Sequence, residues 1–187
     1  MQIRSLVLAV GFVIGNPGAA WGGTGTSTLT AQTTVATNCK ISTSSVLSNL
    51  TVGFGNYDPI GTNLTTDLNQ SGTLVIQCVK GTAPIISLNF GTHSSGTPTQ
   101  RFMFDPTASD TLMYKIYQPP SVAAGTACTY PGATVWGDGT SSTSTLSTTA
   151  APDKNDRAYN ICGTIPKAQN PSIGSNYSDT ITITVSF

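Results

Sequence analysis

Apolar and polar residues alternate strictly in the stretch Thr180 to Phe187: Ile181, Ile183, Val185 and Phe187 fall on one face, Thr180, Thr182, Thr184 and Ser186 on the other. Period two is the mark of a half-buried β-strand. The same period recurs along the chain. Leu29, Ala31, Thr33 and Val35 alternate with Thr30, Gln32, Thr34 and Ala36, which predicts a short strand before the first cysteine. "GTLVIQCV" and "APIISLNFG" predict two strands parted by "KGT", with Ile86, Leu88 and Phe90 on one face of the second. "RFMF", "LMYKIYQ" and "RAYNICGTIP" add three more. Turn-rich pieces separate them: "NYDPIGT", "HSSGTPTQ", "DPTASD" and "KAQNPSIGSN". Val122 to Pro152 reads as loop, with "WGDG" and a Ser/Thr run over Ser141–Thr149 inside it. No amphipathic helix and no repeat is evident. Many short strands spaced by turn signals predict an all-β sandwich of immunoglobulin-like type.

Composition supports that reading. Only 9% of the 187 residues are charged, and all eight acidic residues are Asp. Helix formers such as Glu, Lys and Arg are therefore scarce, whereas Thr and Val favour strands and Gly, Asn and Pro favour turns. At 38% hydrophobic the chain is able to bury a core. A formal net charge of zero gives no footprint for nucleic acid.

Residues 1–20 read as a secretory signal peptide. Arg4 supplies a positive start, Leu6–Gly15 an apolar run, and Gly18 and Ala20 a small-residue cleavage site. The run is too short to span a bilayer, so no integral membrane segment is expected in the mature chain. An exported chain with Cys39, Cys78, Cys128 and Cys162 is expected to hold two disulfides rather than a zinc site, since there is no C-x-x-C and no neighbouring His. Three pairings are possible. Cys39–Cys78 and Cys128–Cys162 are favoured because each ties parts of the chain read as neighbours. Residues 21–38 form an N-terminal extension, and 39–187 the main domain.

Catalytic chemistry is sparse. His93 lies in "GTHSSG" without a nucleophile motif and reads as an exposed loop residue. Asp153 and Asp156 do not have the spacing of a calcium loop. Asp138 reads as a turn residue between glycines. Trp136 offers a ring for sugar stacking, but packing is the stronger reading. Tyr114 and Tyr117 read as core or sheet-face residues. No enzyme, metal or cofactor is expected.

The terminal strand needs a backbone neighbour and a cover for its apolar face, because an exposed apolar edge invites aggregation. The strand before Cys39 is able to supply both. Pairing in trans, head to tail, would not close and would build a filament. Pairing in cis would complete the chain's own sandwich. The residues alone leave both open.

A set of motifs runs in order along the chain: Cys39, "FGNYDP" at 54–59, "GTLVIQC" at 72–78, "RFM" at 101–103, "LMYKIY" at 112–117, "WGDG" at 136–139, "GTIPKAQ" at 163–169 and "GSNYSDTITITVSF" at 174–187. The chain so resembles the spore coat protein U domain family, which includes subunits of archaic, Csu-type chaperone–usher pili. The resemblance implies a sandwich lacking its final strand, a periplasmic chaperone that lends one, an outer-membrane usher, and identical or related pilus subunits as partners at the cell surface. It implies Leu29, Ala31, Thr33 and Val35 as donor side chains. Ile181, Ile183, Val185 and Phe187 would form one wall of the acceptor groove, with Ile86, Leu88 and Phe90 lining the rest. Ala31 and Thr33 are smaller than the aliphatics usual in a donor strand, so a weak grip is expected. The length leaves no room for a second, receptor-binding domain, which favours a shaft or adaptor subunit over a tip adhesin.

Overall fold

Most of the expected strands form, and their sequence pattern decides which faces meet. The computed structural model describes residues 27–42, 50–94 and 99–187. The expected signal peptide lies outside them. The chain divides into two units, Met1–Thr34 and Val35–Phe187. In the first, the described residues are exposed and belong to no strand. The strand expected over 28–37 is therefore not formed: an alternating segment without a ladder partner has nothing to hold its backbone extended.

The second unit contains β1 (Cys39–Ile41), a one-turn helix α1 (Thr62–Thr65), β2 (Leu68–Cys78), β3 (Ile85–Leu88), β4 (Arg101–Asp105), β5 (Asp110–Tyr117), β6 (Leu146–Ser147), β7 (Arg157–Ile165) and β8 (Ile183–Ser186). They form two antiparallel sheets, ordered β1-β2-β7-β5-β4 and β6-β3-β8. In β5 the alternation is complete: Leu112, Tyr114 and Ile116 are buried, while Met113, Lys115 and Tyr117 are only half-buried. Leu74 and Ile76 of β2 and Tyr159, Ile161 and Ile165 of β7 join them in the core. Ile86 and Leu88 of β3 and Leu146 of β6 face them from the other sheet. β6 lies inside the Ser/Thr run expected to be loop. Its two residues pair with Ile85 and Ile86, and the single Leu146 carries the burial, too short a signal for periodicity to detect.

Trp136 ties the sheets together. Its backbone N–H donates to Ile116 O at 2.8 Å, extending the β5 side, while its indole Nε1 donates to Ile86 O of β3 at 3.0 Å. Gly137 O accepts from Leu88 N at 3.1 Å. The ring is fully buried. Stacking on a sugar would need an exposed ring face, so the structure corrects that alternative.

Two disulfides fasten the larger sheet. Cys39 and Cys78 are direct cross-strand partners of β1 and β2, and a bond joins them. Cys128 is bonded to Cys162 of β7, which clips the long connection after β5 to the sheet. Gly125 N donates to Ala158 O at 2.8 Å, and Asn160 Nδ2 to Thr126 O at 2.7 Å, so this connection lies along β7.

Candidate functional site

β8 is the last strand of its sheet, and β3 is its only ladder partner among the described residues. Ile183 stands opposite Leu88 and Val185 opposite Ile86. Ile181, Ile183 and Val185 turn toward the core but stay half-buried, unlike Ile86 and Leu88 beside them. Their outer neighbours Thr182, Thr184 and Ser186 are exposed. The free edge of β8 therefore presents unpaired backbone next to incompletely covered aliphatics, the combination that accepts a further strand.

A cleft of about 1100 Å³ opens there. Ile181 and Ile183 line it on one side, with Leu88 behind them. Leu112, Tyr114 and Ile116 of β5, Ile161 and Ile165 of β7, and Met103 of β4 line the other. Val185 packs on the core without lining the cleft, and Phe187 is 56% exposed. Ile86 is enclosed in the core, and Phe90 lies beyond β3 and outside the lining. The wall is thus shorter than the alternating sequence suggests: of the expected residues, Leu88, Ile181 and Ile183 line the cleft. Of the expected donor side chains, Leu29 is 96% and Val35 75% exposed, and Ala31 and Thr33 are exposed as well.

The segment Leu50–Ile60 runs along the cleft. It is seated by Gly163 of β7, where an added Cβ would fall 2.6 Å from Val52 Cγ1 and 2.7 Å from the Phe54 ring. Phe54 meets Tyr114 edge-on, with ring centroids 6.3 Å apart. Tyr57 Oη donates to Pro166 O and accepts from Gln169 N, both at 3.0 Å. The Gln169 amide then pairs with the Met113 backbone, donating to its O and accepting from its N at 2.9 Å each.

The polar end of the cleft is built on Asp179, whose side chain is 1% exposed. Its Oδ2 accepts from Tyr114 Oη at 2.5 Å. Its Oδ1 accepts from Thr92 N at 2.8 Å, Thr92 Oγ1 at 2.7 Å and His93 N at 3.3 Å. His93 Nδ1 lies 3.4 Å away, so the expected plain loop histidine touches the carboxylate while its side chain remains 41% exposed. Close by in the fold, the buried Arg101 guanidinium donates to Asn89 O and Trp136 O. Burial pushes the Arg101 guanidinium below its ordinary pKa, and Tyr114, Asp179 and Asp138 pull it back. Sequence reasoning missed Asp179 and Arg101. A charged residue in so uncharged a chain, placed inside a recurrent motif, was the available signal.

Burial opposes the Asp179 carboxylate, but hydrogen bonds from Tyr114, Thr92 and the Thr180 backbone outweigh it and hold the group below the usual carboxylate range. A depressed carboxyl stabilises the fold above its unfolded pKa of about 4, and that contribution is lost as pH falls through the folded value. Asp179→Asn is therefore expected to lower stability at neutral pH and to flatten its fall on acidification. Urea midpoints of both chains between about pH 7 and about pH 3 measure this. An identical acid slope in the two would remove Asp179 from the acid response.

Several other acidic residues hold turns. Asp138 accepts from Thr140 N and Oγ1, Asp153 from Asn155, and Asp105 from Thr107, Ala108 and Asn176 backbone N–H groups. Among the described residues no group of three or more His, Cys, Asp or Glu is placed to hold a metal ion. Nor is any helix there long and apolar enough to cross a membrane.

Two antiparallel sheets, two disulfides and an open apolar edge define an all-β sandwich. The chain belongs to the spore coat protein U family: the Spore Coat Protein U domain matches residues 25–184. It is 25% identical over 191 residues to Protein U of Myxococcus xanthus, covering 99% of this chain and 96% of that one. Its fold is similar to a chain in the crystal structure of a chaperone–tip adhesion subunit pre-assembly complex from archaic chaperone–usher Csu pili of Acinetobacter baumannii. The TM-score is 0.51 at 24% identity, over 82% of this chain. The match spans 41% of the length of that chain.

Proposed function

We propose that the protein is a structural subunit of a chaperone–usher pilus, joined head to tail by donor-strand exchange. The observation that carries this reading is the free edge of β8 beside the apolar cleft. Residues 1–20 direct export, residues 21–38 carry the donor strand, and residues 39–187 form the accepting sandwich. A periplasmic chaperone occupies the edge first. At the outer-membrane usher, the extension of another subunit replaces it, and the polymer reaches the cell surface, where it supports adhesion and biofilm formation. Leu29 and Val35, both exposed, are the main apolar contributions. Burying each stabilises the joint by roughly 1.5–3 kcal/mol, and Ala31 and Thr33 add less.

The test compares the oxidised mature chain with and without Thr24–Thr37, by size-exclusion chromatography and negative-stain microscopy. The full chain is expected to form filaments, the shortened one to remain folded and unpolymerised, and an added Thr24–Thr37 peptide to raise its melting temperature. A full chain that stays a stable monomer sinks the proposal.

A coat or surface-matrix role is the second reading, favoured by the match to the Spore Coat Protein U domain over residues 25–184. There the extension closes its own sandwich, and the same deletion unfolds the domain.

A further inference from the structure

The sequence of the acceptor strand does not specify where it sits. Ile181-Thr182-Ile183-Thr184-Val185-Ser186 repeats an aliphatic–hydroxyl unit. A slip of one residue would turn the aliphatics outward, and burial forbids it. A slip of two residues puts Ile181 where Ile183 stands and Ile183 where Val185 stands, so the apolar face stays inward. With a four-residue strand and a ladder on one side only, little in β8 itself opposes that slip.

The opposition comes from the residues just before it. Ser178 still belongs to the edge of the larger sheet: Phe104 N donates to Ser178 O at 2.9 Å, and Ser178 N to Phe104 O at 3.2 Å. By Thr182 the chain has crossed to β3, where Asn89 N donates to Thr182 O at 3.1 Å and Thr182 N to Asn89 Oδ1 at 2.8 Å. Asp179 is at the crossing. It is held by Tyr114 of β5 and by Thr92 and His93 in the segment after β3, so both sheets grip the same carboxylate. Gly91 makes this approach possible. It has φ +84°, and a Cβ there would collide with Asp179 Oδ2.

We infer that Asp179 is the positioning residue that fixes the register of β8, and with it the level of the cleft at which an incoming strand's side chains are received. A two-residue slip would carry the carboxylate away from the Tyr114 and Thr92 donors and leave the buried Tyr114 hydroxyl unpaired. The second half of the inference rests on the strand-accepting reading; the first does not.

Cysteine pairs read the register directly. Ser87 is the ladder partner of Thr184, and slipped registers place it opposite Thr182 or Ser186. Ser87→Cys is combined in turn with Thr184→Cys, Thr182→Cys or Ser186→Cys, in the otherwise unchanged chain and with Asp179→Ala. Mild oxidation followed by mass mapping of the full-length chain gives the yield of each bond. In the unchanged chain the 87–184 bond should dominate. Asp179→Ala should shift the ratio of native to slipped bonds by roughly tenfold, the effect of losing charge-assisted hydrogen bonds. Asp179→Asn, which can still accept from Thr92 and hydrogen-bond Tyr114, should restore most of it. A folded Asp179→Ala chain with an unchanged ratio overturns the inference. If that variant does not fold, Tyr114→Phe and Thr92→Val decide: each removes one donor, and an unchanged ratio in both overturns it equally. Polymer yield is scored separately. Loss of polymer with the native register intact counts against the pilus reading alone.

Discussion

Reducing both disulfides removes most of the stability of the fold. The loops closed by Cys39–Cys78 and Cys128–Cys162 have sequence separations of 39 and 34. In the chain-entropy account each stabilises the native state by roughly 3–4 kcal/mol. The loops share no residue, so the two contributions add to first order and reach roughly 6–8 kcal/mol. Whole domains are stable by only about 5–15 kcal/mol. Local structure points the same way. β1 has three residues and pairs with β2 alone, so without its bond it is a short edge strand with little else to hold it. Urea unfolding of the oxidised and the reduced chain gives the total. The pairs Cys39→Ser/Cys78→Ser and Cys128→Ser/Cys162→Ser apportion it. A combined loss below about 2 kcal/mol would show that reduction relieves native strain as fast as it frees the unfolded chain.

Trp136→Ala should be the most damaging single substitution. It empties the largest fully buried side chain from between the sheets. Aromatic-to-alanine changes in cores cost about 3–5 kcal/mol. It also leaves Ile86 O without the indole donor, in a place that water does not reach. Trp136→Phe should fall between the two, since it keeps most of the ring and loses only the donor. Urea midpoints with both disulfides intact order the three chains. A loss under about 1 kcal/mol for Trp136→Ala would mean that the sheets close over the gap. Glycan binding that disappears with Trp136→Ala while stability is unchanged would revive the sugar-binding module that the buried ring argues against.

The strands with strong alternation were legible because their faces differ. β2, β3, β4, β5, β7 and β8 all overlap segments expected as strands, although β8 takes only Ile183–Ser186 of the alternating run. The pairing of sheets was not legible, since alternation says which face is buried but not which strand lies alongside. Still less visible were the polar fasteners. Asp179 meets Tyr114 across 65 positions of chain, and Gln169 meets Met113 across 56. Their motifs mark them, but nothing local in either sequence names the distant partner. Seven of the eight aspartates take three different roles on folding: Asp58, Asp105, Asp110, Asp138 and Asp153 accept from backbone near a turn, Asp67 from Lys167 N, and Asp179 from two sheets at once. For the cleft, the aliphatic wall was visible in outline. Its length was not, because that depends on how far β5 and β7 extend beneath it.

The bond between Cys39 and Cys78 has a mechanical consequence. Val35 lies only a few residues ahead of Cys39, so a pull on the exposed N-terminal segment arrives at the sheet through that cysteine. There it passes covalently into Cys78 at the end of β2, a strand laddered to β7 along nine residue pairs. Tension therefore meets a long ladder in place of the three pairs of β1, which would otherwise peel one at a time. The enclosed chain, of separation 39, cannot pay out. At about 3.4 Å per residue, that withholds about 130 Å of extension from any joint the segment makes.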